Sequence, residues 1–278
     1  MAVAVEADVA GRRLAVGWVL AMLTGALVGT PGCTASGGGE PGAAGDGGDG
    51  GATDGGANGD GGQGAPELVI SSGDRVLVYT GHGGMAPQGS GKARFDTADA
   101  RFQALGYNTH YRDVLPDDLA IYRLVLLVAP GSSQPVPFTD DEVARLEAAR
   151  AVGSRLAILG DPSMCGAPEV DALLAALGVD SRFTGDGADE NQVIVATDLG
   201  TQQPVAGLAS LYLRDPCAID PAAGAAMVRD DLGRTLATIE LPADGGEVVV
   251  LGDLEVLDDG SIDEADNARF ADNLARLE

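Results

Sequence analysis

The sequence predicts an α/β domain: a mostly parallel sheet with helices on both faces and a small antiparallel extension. Three observations carry this. Short, nearly continuous apolar runs at Arg75–Thr80, Leu124–Ala129, Arg155–Leu159 and Glu247–Leu251 each end at Gly or Pro, as strands buried on both faces do. The segments between the first three have helical rather than alternating periodicity. Past Gly178 the long runs give way to short ones separated by turn residues.

Before the domain come two segments of a different kind. Arg12-Arg13 precede the uncharged stretch Leu14–Val28, and Pro31-Gly32-Cys33 follow. A basic region, a short apolar segment and a small residue before a cleavage point predict a secretory signal over 1–32. The stretch is short for a membrane-spanning helix, which needs about 20 residues. Its end resembles the lipobox of bacterial lipoproteins, with Thr30 where Leu is usual. That resemblance implies cleavage before Cys33 and lipidation of its thiol, hence an exported protein anchored in the cell envelope. Thr34 after the cysteine implies the outer rather than the inner membrane.

Residues 33–66 read as a tether. Fifteen of the residues 34–66 are Gly, five are acidic and none is Lys or Arg. Such a segment buries too little apolar area to offset its ordering entropy, so disorder is expected. The Asp–Gly steps lack the regular nonapeptide period of calcium-binding repeats.

The folded domain is assigned to 67–278. Setting aside Arg12, Arg13, Glu6, Asp8 and the tether acids, it carries 15 Lys and Arg against 35 Asp and Glu, a balance of −20. Nucleic acid and anionic lipid surfaces would repel it.

Arg75–Thr80 is the first strand, followed by the loop Gly81-His82-Gly83-Gly84. Gly91–Leu105 predicts a helix with Phe95, Ala98, Phe102 and Leu105 on one face, stopped by Gly106. Strands follow at Tyr107–Arg112 and Leu124–Ala129. Thr139 and Glu142 have the spacing of a capping box, and the helix they begin turns Val143, Leu146 and Ala149 inward before Gly153. Arg155–Gly160 is the central strand, and Pro168–Leu177 a helix stopped by Gly178. Short strands are expected at Val179–Phe183, Val193–Thr197, Leu211–Leu213, Ala226–Arg229 and Thr235–Glu240. Glu247–Leu251 returns to the buried sheet. Asp263 begins a last helix, with Phe270, Leu274 and Leu277 facing the sheet.

The stretches LVLLVAPG, FTDDEVARLEAARAVGSRLAILGD, EVVVLGD and ADNARFADNL, in this order after a strand ending in a Gly/His loop, resemble the class I glutamine amidotransferase-like superfamily. The nearest likeness is to its non-catalytic branches in gliding-motility and ABC-transporter accessory proteins and in intraflagellar-transport proteins. The resemblance implies a flavodoxin-like, amidotransferase-like sheet. Catalytic members carry Cys in a G-x-C-x-G turn and a later His–Glu pair. Here the corresponding turn is Gly160-Asp161-Pro162, Cys165 lies beyond it, and His82 and His110 both precede it. No G-x-S-x-G turn replaces it. Acyl-transfer chemistry needs a nucleophile and a positioned base, so no catalytic residue is assigned and the domain is read as not an enzyme.

His82, Asp161 and Asp253 each follow a predicted parallel strand, which places them at the carboxyl edge of the sheet. They are the candidate ligand-binding residues for a small polar ligand or a divalent cation. The competing reading has both aspartates capping their following turns by side-chain to backbone hydrogen bonds and His82 in a solvated loop. No metal or cofactor is assigned: the acidic stretch 253–272 lacks the alternating ligands of an EF-hand, and Gly81–Gly84 matches no phosphate-binding loop. With Cys33 lipidated, Cys165 and Cys217 remain, either as a disulfide in an oxidising compartment or as two free thiols.

The function that follows is an exported, membrane-tethered binding or scaffolding domain. Its partner would be an envelope protein or a glycan. The alternative is a metal-assisted hydrolase using the carboxyl edge of the sheet.

Overall fold

The computed structural model describes residues 74–85, 94–187, 191–243 and 245–276. The expected signal peptide, the tether, Cys33 and Leu277 lie outside the described residues. Among those described, no helix is long and apolar enough to cross a membrane.

The domain runs β1 (Arg75–Tyr79), α1 (Asp96–Ala104), β2 (Asn108–Arg112), β3 (Leu124–Val128), α2 (Asp140–Ala151), β4 (Arg155–Leu159) and α3 (Pro168–Ala176). It continues through β5 (Arg182–Gly187), β6 (Val193–Ala196), β7 (Asp198–Leu199), β8 (Leu211–Arg214), β9 (Cys217–Asp220), β10 (Ala226–Arg229), β11 (Thr235–Glu240), β12 (Val248–Leu251) and α4 (Asn267–Ala275). The main sheet is ordered β2-β1-β3-β4-β12-β11-β10-β7, with β9 pairing both β11 and β5. Strands β2, β1, β3, β4 and β12 are mutually parallel, and β11 turns the sheet antiparallel. β6 and β8 form a separate two-stranded ribbon.

Every residue of β3, β4 and β12 is buried. A strand buried on both faces has no polar side to offer water, which accounts for the unbroken apolar runs. The connection from β1 leads outward to β2 on one side, and that from β3 leads to β4 on the other. Right-handed crossovers therefore place α1 and α2 on opposite faces. Arg101 of α1 pairs with Asp272 of α4 at 3.0 and 2.6 Å. On the other face, Arg150 of α2 donates to the Leu177 carbonyl at the end of α3, at 2.8 Å.

The capping box at the start of α2 is complete, with Thr139 and Glu142 exchanging side-chain and backbone bonds. Gly106, Gly153 and Gly178 all sit at positive φ just past helix ends, where glycine adopts the left-handed conformation without a Cβ penalty.

Three expectations are corrected. The strand expected at Val179–Phe183 begins only at Arg182. Val179 N–H still closes α3 on the Leu174 carbonyl, and the amides of Asp180 and Ser181 are held by the Glu240 carboxylate at 2.9 Å each. The short strands β7 and β9 were not expected. The last helix begins at Asn267 rather than Asp263. Ala265 has φ of +47°, and the Asp266 carboxylate turns away to the amides of Ala209 and Ser210 at 2.6 and 3.1 Å.

Arg155, at the start of β4, is 1% exposed. Its guanidinium bonds the Glu247 carboxylate and the carbonyls of Asn273, Leu274 and Arg276 at the end of α4. One side chain thus joins two central strands and satisfies the last carbonyls of a helix. Arg155→Ala is expected to destabilise the domain by about 3 kcal/mol, because it leaves Glu247 and those carbonyls without their donor. Denaturant unfolding monitored by circular dichroism checks this.

Candidate functional site

In an open parallel sheet, ligands bind outside the carboxyl ends of the strands, at the point where the strand order reverses. Here that point lies between β1 and β3. The loops following these two strands are the first place to look, and they are bonded to each other. Gly131 N–H donates to the His82 carbonyl at 2.8 Å, Ser133 N–H to the Gly83 carbonyl at 2.9 Å, and Met85 N–H to the Val128 carbonyl at 3.2 Å. The Ser132 and Ser133 hydroxyls add bonds to the same Gly83 carbonyl. Gly83 is at φ +71°, and a Cβ there would lie 2.0 Å from the Gln134 carbonyl oxygen. Glycine at this position lets the two loops close on each other.

His82 is held inside this junction. Its ring stacks on Phe138 with centroids 3.8 Å apart. Nδ1 lies 2.9 Å from the Val136 carbonyl oxygen, and Nε2 lies 3.0 Å from Glu142 Oε1. Both ring nitrogens are engaged and the side chain is 8% exposed, so His82 is not in a solvated loop: stacking on Phe138 and bonding to Glu142 draw it inward. Glu142 serves two structures at once, since its other oxygen accepts the Thr139 amide and hydroxyl of the capping box. Burial alone would raise the Glu142 carboxyl, but the Thr139 amide and His82 bring it below its ordinary value. His110, the other histidine, contacts the Tyr122 hydroxyl at 3.0 Å.

The second junction lies at the ends of β4 and β12, two strands from β1. Asp161 caps a short 3-10 turn, Pro162–Met164, and accepts from the Ser163 amide at 2.9 Å and from its hydroxyl. Asp253 is 1% exposed. It accepts the Arg214 amide on Oδ2 and the Glu255 amide on Oδ1, both at 2.7 Å. Cys217 N–H donates to the Gly252 carbonyl at 2.9 Å. A Cβ on Gly252 would fall 2.1 Å from the Cys217 carbonyl oxygen. The chain at 214–217 therefore lies directly across the end of β12. Cys217 and Cys165 are joined as a disulfide, which ties that crossing segment to the turn after β4.

The three candidate residues thus occupy two separate junctions, and each is committed to local structure. Asp161, Asp253 and Glu255 lie close enough that Asp161 and Glu255 both push Asp253 upward. Even so, among the described residues no group of three His, Cys, Asp or Glu side chains is placed to hold a metal ion. The reversal between β1 and β3 was not singled out from sequence. The strand order that creates it becomes visible only once β1 is known to pair with both β2 and β3.

Burial pushes the Asp253 carboxyl up to about 8, against the two amide donors that pull it down. An acid whose folded pKa lies above its unfolded value of about 4 binds its proton more tightly when folded. Its contribution is therefore complete at acid pH and is lost as pH rises through about 8. Between those limits the stability of the protein should fall with increasing pH, by up to roughly 5 kcal/mol from this residue. Asp253→Asn should flatten that slope, at a cost of about 1 kcal/mol for the backbone bond its amide cannot accept. Unfolding midpoints measured from pH 5 to 8 check both statements.

Three comparisons bear on this geometry. Residues 106–275 match the protein family described as Domain of unknown function (DUF4350). No curated protein matches the sequence. Among solved structures, the mmIFT52 N-terminal domain is similar with a TM-score of 0.55 and 15% identity, over 71% of this chain and 94% of that one. The cytoplasmic protein STM1381 from Salmonella typhimurium LT2 is similar with a TM-score of 0.54 and 12% identity, over 72% and 98% of the two chains. At these identities the likeness establishes a shared fold.

Proposed function

The chain belongs to the DUF4350 family, and we propose that its domain is a non-catalytic binding or scaffolding module, displayed from a membrane by a lipidated tether. The observation that carries the reading is the state of the sheet's carboxyl edge. At the reversal between β1 and β3, the two loops spend their amides and carbonyls on each other. At the ends of β4 and β12, the 214–217 segment covers the place where a substrate would approach. An enzyme of this architecture needs at least one of these junctions open to water and furnished with a nucleophile or base.

The resemblance to the non-catalytic amidotransferase-like branch supports the same reading. At the corresponding turn Asp161 replaces the cysteine nucleophile, and its carboxylate is spent on Ser163. The metal-assisted hydrolase alternative would need His82 as a ligand, yet both imidazole nitrogens are already bonded. The partner proposed for the module is an envelope protein or a glycan, reached from the outer membrane through the 33–66 spacer.

Two outcomes are expected. The purified full-length protein should release no ammonia from glutamine, and Asp161→Cys should not create that activity, because the base and oxyanion donors are missing. Ammonia release by the wild type that Asp161→Ala abolishes without unfolding would overturn the non-catalytic reading. Cys33→Ala should move the protein from the membrane to the soluble fraction, since lipid then no longer supplies apolar insertion. Fractionation of cells expressing each form checks this.

A further inference from the structure

The two edges of the β6–β8 ribbon are treated differently. In an antiparallel pair, alternate residues exchange backbone bonds with the partner strand, and those between them point their N–H and C=O outward. The register fixes which are which. Asp215 N–H donates to the Gln192 carbonyl at 2.8 Å, and the pairing continues as Val193 opposite Arg214, Ile194 opposite Leu213, Val195 opposite Tyr212 and Ala196 opposite Leu211. The bonded pairs are therefore Gln192–Asp215, Ile194–Leu213 and Ala196–Leu211. Tyr212 on β8, and Val193 and Val195 on β6, point their backbone groups away from the partner strand.

On the β8 side that edge is closed. Asn267 Oδ1 accepts the Tyr212 amide at 3.0 Å, and Asn267 Nδ2 donates to the Tyr212 carbonyl at 2.8 Å. A side-chain amide thus stands in for the missing strand. On the β6 side, among the described residues, no hydrogen bond reaches the amides or carbonyls of Val193 and Val195. Natural edge strands are usually guarded by Lys, Pro or a bulge. β6 has none of these. Its register is unbroken, and its outward side chains are Val193 and Val195, 48% and 56% exposed.

Charge selects the occupant. Asp198, with its side chain 65% exposed, lies just beyond one end of β6, its Oδ2 4.0 Å from Arg229 Nη1 on β10, an exposed pair too long to hold the carboxylate firmly. Asp215 sits opposite Gln192 at the other end, next to Glu255. The nearby cation on this ribbon, Arg214, is paired with Glu255 at 3.3 Å. Each end of the strand thus carries carboxylates, Asp198 at one and Asp215 with Glu255 at the other, on a domain with a balance of −20. A second copy would bring like charges together at both ends, which costs several kcal/mol when they are directly juxtaposed. The geometry points to strand addition at the β6 edge by a short extended segment of another protein, with apolar residues in its middle and Lys or Arg at its ends. This rests on the proposed binding role and names the surface that would serve it. Backbone bonds to Val193 and Val195 would give affinity, and the flanking carboxylates would give selectivity.

The probe is a fluorescein-labelled Lys-Val-Thr-Val-Lys peptide, titrated into the full-length protein at low salt. It should bind. Its counterpart with Glu in place of both lysines should bind at least about tenfold more weakly, and binding of the first should weaken as salt is added. Val195→Pro removes the outward amide without touching the β6–β8 bonds, as proline is tolerated on an edge strand with that group facing solvent. It should raise Kd by about tenfold, whereas Val195→Thr, which keeps the amide, should stay within about threefold. If Val195→Pro fails to fold, amide exchange on the wild type decides, with Val193 and Val195 slowed by the peptide. Equal affinity for the two peptides, no effect of the proline, or no protection of those amides would overturn the proposal. So would a protein dimer that Val195→Pro dissolves, since the edge would then serve a second copy. Any of these results, in a protein without enzymatic activity, removes this surface and leaves the non-catalytic reading standing.

Discussion

A parallel sheet buried on both faces leaves only its strand ends and its edges for recognition. In this protein β3, β4 and β12 are buried throughout, so their faces are committed to helix packing. Backbone groups at the strand ends must still be satisfied, by ligand, water or the protein's own loops. Here loops do it. The Gly83 carbonyl alone accepts from one amide and two hydroxyls of the loop after β3. The end of β12 receives the crossing segment at 214–217. With the usual ligand crevice closed, the proposed recognition surface falls on the antiparallel extension, where the β6 edge is unpaired among the described residues.

That logic also explains what could be read from the residues. The central strands were legible because double-sided burial demands unbroken apolar runs, and the capping box at Thr139 and Glu142 because its bonds are local. β7 and β9 were not legible. β7 has two residues, and β9 begins directly after Asp215-Pro216, which reads as a turn. Their pairing is set by distant strands, β10 for the one and β5 and β11 for the other. The start of α4 was misplaced for a related reason. Asp263 has the composition of a helix N-terminus, but Asp266 and Asn267 are drawn off by amides of the 209–212 segment. Periodicity carries no signal for a side chain bonded more than fifty positions away.

The candidate site was legible in part. Residues following strands do gather at the carboxyl edge, and His82, Asp161 and Asp253 all lie there. Sequence placed them on one edge but could not say that two junctions share it, because the order of strands is a tertiary fact. Nor could it say what each side chain would bond. Asp161 behaves as the turn chemistry predicts, accepting from the second residue on. Asp253 does that with Glu255 and also holds a segment distant in sequence through Arg214.

Electrostatics divides the two junctions further. Glu142 is held below its ordinary pKa, so its contribution to folding is present above the usual carboxylate range and is lost only as pH falls through its lowered value. Asp253 is raised to about 8 by burial, so its contribution is greatest in acid and fades toward alkaline pH. The loop junction around His82 is therefore secured by ionisation, and the β12 junction by protonation. Acidification into the carboxylate range would loosen the first, whereas mild alkali would loosen the second and leave the first unchanged. In a domain with a balance of −20, added repulsion between carboxylates reinforces the alkaline side of this trend. The segment at 214–217, which leads directly out of the β6–β8 ribbon, is thus held by a carboxyl whose raised pKa makes its attachment weaken as pH rises toward about 8.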